Sequence, residues 1–120
     1  MDKPMEINIL GIPYEVKFLS ENEDKRLEDL DGYTDVYSKL IVVENSRIGN
    51  IHNIIEHRRN VLRHEIVHAF LYESGMANCS SYSPCWAENE EMVDWIAIQG
   101  EKIYEAWKET DALSVVTKNG

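Results

Sequence analysis

The chain has 120 residues, 43% of them hydrophobic and 28% charged, and a formal net charge of −10. That is the size of one domain with enough apolar mass for a core; the acidic balance excludes the basic face that direct nucleic-acid binding needs. No apolar run approaches the roughly 18 residues of a membrane span, and the opening stretch Met1 to Glu6 lacks the charged and apolar regions of a signal peptide, so the cytoplasm is the expected compartment.

Met5 to Leu19 alternates apolar and polar residues, with Ile7, Ile9, Tyr14, Val16 and Phe18 in period two. This predicts a β-hairpin of strands 5–10 and 14–19 around a Gly11-Ile12-Pro13 turn. Ser20 to Asp31 is rich in carboxylates and reads as an exposed connection with at most one helical turn around Leu27 and Leu30. Its acids do not alternate around a fixed glycine, so it is not a calcium loop. A second hairpin is expected from strands 33–37 and 40–44 around Ser38-Lys39. The continuous apolar run Leu40 to Val43 predicts cover on both faces. Asn50 then caps a helix over 51–74, with Ile54, Val61, Val67 and Leu71 facing the core and Ser74-Gly75 ending it. Arg58, Arg59, Arg63, His52 and His57 lie on its exposed N-terminal half. A loop over 76–83 leads to a second helix over 84–109, started by Ser83 and Pro84 and carrying Val93, Trp95, Ile96, Ala97, Ile103, Tyr104 and Trp107 at helical spacing. Asp111 to Gly120 is expected to fray. Cys79 and Cys85, six residues apart around the start of the second helix, are expected to be kept reduced in the cytoplasm and carry no assigned chemistry.

Inside the first helix stands His64-Glu65-Ile66-Val67-His68, an H-E-x-x-H stretch. Residues four apart sit about 40° apart around the axis and one turn along it. His64 and His68 therefore point the same way and can share one Zn²⁺, while Glu65 projects to one side, in reach of a water on that metal. Zinc would lower the pKa of the water and Glu65 would take its proton. His57 lies two turns before His64, roughly 10 Å away by helix rise, and reads as a surface residue.

A catalytic zinc takes a third protein ligand and keeps one position open. No His follows His68, so a carboxylate must serve, and the second helix offers Glu88, Glu90, Glu91 and Asp94. Glu90 has Asp94 one turn on, placed to accept a hydrogen bond from the far nitrogen of a zinc-bound imidazole. Glu91 and Glu88 have Trp95 and Met92 at the corresponding positions. Glu90 is the preferred ligand, with Glu91 the alternative.

H-E-x-x-H followed on a later helix by Asn89-Glu90-Glu91-Met92-Val93-Asp94, an N-E-x-x-x-D pattern, resembles the gluzincins, the thermolysin-like metallopeptidases. The resemblance covers the two motif helices. It implies His64, His68 and Glu90 as zinc ligands, Glu65 as the base and Asp94 as the residue orienting a ligand. The layout of strands followed by two motif helices is similar to small bacterial and phage-type members, including the ImmA/IrrE group, which implies intracellular peptidase activity, sometimes toward a repressor. Thermolysin-like enzymes carry a downstream His that stabilises the developing oxyanion; this chain has none, and Tyr82 and Tyr37 stand as substitutes.

The expected fold is α+β, a small mainly antiparallel sheet packed on two long helices in a single domain over 1–120. The expected function is zinc-dependent hydrolysis of peptide bonds in a protein or peptide substrate. The alternative is an acidic binding module of phage type, either a DNA mimic or a zinc-containing peptide binder without catalysis. The strand 40–44, or its hairpin partner 33–37, is expected to form the edge on which an extended substrate lies.

Overall fold

The computed structural model describes residues 4–47, 53–75 and 90–114, with residues 90, 91, 93, 94 and 97 described through their backbone alone. The fold is α+β. Strands β1 (Met5–Ile9), β2 (Ile12–Leu19), β3 (Gly32–Asp35) and β4 (Leu40–Glu44) are followed by helices α1 (Ile54–Glu73) and α2 (Glu90–Glu109). The sheet order is β1-β2-β4-β3, with antiparallel outer pairs and a parallel central pair, β2 with β4.

The first hairpin turns earlier than its sequence suggests. Leu10 and Gly11 both have positive φ, 53° and 91°, and Ile9 pairs with Ile12 across this two-residue turn. Such a turn has the twist that matches two antiparallel strands. Ile12 and Pro13 thus belong to β2. Pro13 is tolerated because it opposes Asn8 one step beyond the bonded Ile9–Ile12 pair, so its nitrogen faces away from β1, and β4 begins pairing only at Glu15.

β4 lies inside the sheet and its partner β3 is an edge. Ile41, Val42 and Val43 are fully buried, as a strand covered on both faces requires. On one face, Ile41 and Val43 join Ile7, Ile9, Tyr14, Val16 and Phe18 in a core that α1 completes with Val61, Leu62, Ile66, Ala69 and Phe70. On the other, Tyr33 pairs with Val42, donates its hydroxyl to Asp24 and lies under the Arg26 guanidinium. Desolvation, followed by the Asp24 contact, raises the Tyr33 hydroxyl to about 12. The acidic connection therefore lies over this face, with a single 3₁₀ turn at Lys25–Leu27; Leu27 is buried while Leu30 is exposed.

That connection is held by buried Glu44 at the end of β4. Its carboxylate accepts from the Ser46 and Arg47 amides, both 2.9 Å, the Ser46 hydroxyl at 2.6 Å and the Glu21 amide at 3.1 Å. Burial alone would raise this carboxyl; the four donors outweigh it and hold the group below its ordinary value. Arg47 extends the grip to the Leu27 and Leu30 carbonyls, Glu21 and Asp31.

Asn53, rather than Asn50, caps α1, its side chain accepting from the Glu56 amide; Asn50 and His52 lie outside the described residues. The helix ends at Ser74 and Gly75, whose φ is 86°. The Arg residues of its first half are tied down rather than free. Arg58 donates to the Asn45 carbonyl, Arg59 to Asp111 and Arg63 to the Ala112 carbonyl. The same contacts correct the expected fraying at 111: Thr110 and Ala112 are buried under α1. On α2, Ile103 and Ala106 face the core, but Ile96 and Tyr104 are exposed. The expected start at Ser83 and Pro84, the 76–83 loop and both cysteines lie outside the described residues. No described helix is long and apolar enough to cross a membrane.

Candidate metal centre

α1 lies across the sheet with Val61, Leu62, Glu65, Ile66, Ala69 and Phe70 buried, so the helical period leaves His64 and His68 on an outward face. Their Nε2 atoms are 3.1 Å apart, with ring centroids at 4.7 Å and planes inclined by 74°. Two nitrogens bound tetrahedrally to zinc at their usual bond length lie about 3.3 Å from one another. The imidazole pair therefore already has the spacing of a chelate.

Glu65 leaves the same turn in a different direction. It is 8% exposed and directed at β3, where the Thr34 hydroxyl lies 2.7 Å from its Oε1 and 2.9 Å from its backbone carbonyl. Gly32, two residues earlier on the same face of β3, makes room for this contact. A Cβ there would lie 2.7 Å from Val61 Cγ1, 2.8 Å from the Val42 carbonyl oxygen and 3.6 Å from Glu65 Cγ. Thr34 and Gly32 were not singled out by the sequence. A glycine inside a strand is a sign of close approach, and alternation puts residue 34 on its face, so a faint signal existed.

An open cavity of about 260 Å³ adjoins His64 and Glu65 and is lined further by Asp31, Gly32, His57, Asn60 and Val61. His57 is no partner of the imidazole pair: its Nε2 faces Asp31 Oδ2 at 3.4 Å. At the other end, Tyr72 stands one turn beyond His68 and meets the Tyr37 ring edge-on at 6.2 Å, with Lys39 Nζ 5.1 Å from the Tyr72 centroid. Tyr37 is 86% exposed, so the structure brings one of the two tyrosines considered for oxyanion stabilisation to the motif's flank. Tyr82 lies outside the described residues. Lys39 and the Tyr14 hydroxyl both donate to Glu73 Oε2 at 2.6 Å. Burial works to raise the Glu73 carboxyl, and these two donors hold it below its ordinary value; burial and Glu73 together push the Tyr14 hydroxyl up.

The third ligand is a question of α2. The Trp95 indole donates to the Ser74 hydroxyl at 2.7 Å, fixing the early part of α2 beside the C-cap of α1. Ser74 lies six residues beyond His68, roughly 9 Å of helix, an offset that a ligand from residues 90–94 must span. The side chains of Glu90, Glu91 and Asp94, and all of Glu88, lie outside the described residues. Among the described residues no group of three His, Cys, Asp or Glu side chains converges as a metal site. The described part of the site is thus two imidazoles with the bite of a zinc chelate, one carboxylate alongside and an edge strand next to it. Comparison with protein-family models, curated proteins and solved structures gave no match.

Proposed function

We propose that this chain is a zinc metallopeptidase of the cytoplasm acting on an extended segment of a protein or peptide. The observation that carries the reading is the 3.1 Å approach of two outward-facing imidazole nitrogens with a buried carboxylate on the intervening turn. His64 and His68 hold the metal, Glu90 completes the protein ligands, and Asp94 orients an imidazole. Bound there, zinc supplies a Lewis acid that acidifies water and polarises a carbonyl. Glu65 accepts the water's proton and returns it to the leaving amine. Oε2 is the atom for that task, since Oε1 is engaged by Thr34 and Oε2 has no hydrogen bond among the described residues. Tyr37 is the candidate donor to the developing oxyanion.

β3 supports a substrate model on main-chain contacts. The Glu44 amide bonds the Asp31 carbonyl at 2.9 Å, so by alternation the main-chain groups of Gly32 and Thr34 face away from β4 and are available to an added strand. Main-chain pairing accepts many sequences, which suits a peptidase. The test is incubation of zinc-loaded protein with a mixed peptide library and mass spectrometry of the products. New termini that appear with the wild type and vanish with Glu65→Gln support the reading. An intact library with zinc-loaded wild type contradicts it and favours the acidic binding module.

A further inference from the structure

We propose that Thr34 is a positioning residue for Glu65, fixing by one hydrogen bond which carboxylate oxygen is free to move a proton. The proposal rests on the peptidase reading above. A glutamate carboxylate rotates in a broad, nearly two-fold well, so burial alone does not orient it. Thr34 supplies the orientation. Its hydroxyl has one proton and two acceptors in reach, Glu65 Oε1 at 2.7 Å and the Glu65 carbonyl at 2.9 Å. The carboxylate is nearer and charged, so it takes the proton. Oε2 is left as the working oxygen, and the Thr34 proton stays on Thr34 throughout.

The hydroxyl is itself well placed for this duty. Thr34 is β-branched, with restricted χ1, and sits in a strand paired residue by residue with β4, Thr34 opposite Ile41. The Gly32 gap lets β3 approach α1 closely enough for the bond, because a Cβ at residue 32 would meet Val61 Cγ1 of α1 at 2.7 Å. β3 thereby does two things at once: its main chain faces the substrate side and its Thr34 side chain sets the base.

The experiment compares Thr34→Val, which keeps the shape and removes the donor, with Thr34→Ser, which keeps the donor. In zinc-loaded protein, Thr34→Val should lower kcat roughly tenfold to a hundredfold, the scale of a hydrogen bond to a charged group, with KM and zinc content unchanged, and Thr34→Ser should restore kcat. The second measurement uses metal-free protein. Thr34→Val should lower the thermal midpoint in the Glu65 background and lower it less in a Glu65→Ala background, since the carboxylate partner is gone. An active wild type with an indifferent Thr34→Val, or equal midpoint shifts in the two backgrounds, overturns the positioning role alone. A wild type that takes up no zinc and cuts nothing overturns the peptidase reading and this role together.

Discussion

Glu44 and Glu65 are two buried glutamates, 5% and 8% exposed, one at the end of β4 and one on α1 against β3. Glu44 accepts four hydrogen bonds from the Glu21, Ser46 and Arg47 segment. Glu65 accepts one side-chain donor, Thr34, among the described residues. Burial of a carboxylate is costly unless donors replace water. At Glu44 the replacement is complete, and the residue staples loops. At Glu65 it is partial, and Oε2 accepts no hydrogen bond among the described residues. Burial alone therefore does not tell these two acids apart; the number of donors each has used does.

Exchanging the carboxylates for neutral groups should break this contrast in opposite ways. Glu65→Gln should reduce peptide hydrolysis by about 10²- to 10⁴-fold, the usual worth of a general base, while urea unfolding stays within about 1 kcal/mol of wild type. Glu44→Ala should lose roughly 3 kcal/mol in the same unfolding measurement, because several donors are left buried without a partner. A reversed pattern would mean that Glu65 is the staple.

Gly32→Ala acts at the β3–α1 contact. The added methyl would lie 2.7 Å from Val61 Cγ1 and 2.8 Å from a backbone oxygen that cannot swing aside. Strand and helix must separate, at about 1–3 kcal/mol of stability, and the Thr34–Glu65 bond should lengthen with them. Activity should therefore fall in folded Gly32→Ala at temperatures below its midpoint.

The smallest effect expected is on pH dependence. Glu44 and Glu73 both have folded-state carboxyls held below the ordinary glutamate value of 4.5. Their stabilisation is thus fully present above pH 4.5 and is lost as pH falls through the lower folded-state values, because the unfolded chain takes up protons first. Urea midpoints should decline in that acid window, and Glu44→Gln should flatten part of the decline.

Much of this architecture was legible from local patterns. Period two marked β1 and β2, the apolar run marked β4 as covered on both faces, and Ser74-Gly75 marked the end of α1. The parallel β2–β4 pairing was not legible, since a parallel pair leaves no turn between its strands and the long acidic connection gives no register. The first turn slipped by one residue because Leu10, rather than a second glycine, takes up a left-handed conformation beside Gly11. The fate of 110–112 depended on Arg59 and Arg63, which lie half the chain away. The H-E-x-x-H spacing carried the imidazole pair, since residues four apart share one face of a helix. Thr34 left only a faint signal, because its partner, Glu65, is 31 residues distant.

The most direct measurement is the zinc content of the purified protein and its His variants by elemental analysis after dialysis at neutral pH. About one zinc per chain is expected, lost in His64→Ala and in His68→Ala, kept in Glu65→Gln, and weakened far more by Glu90→Ala than by Glu91→Ala. A wild type that stays metal-free in zinc at neutral pH, or zinc uptake that survives His64→Ala, would contradict it.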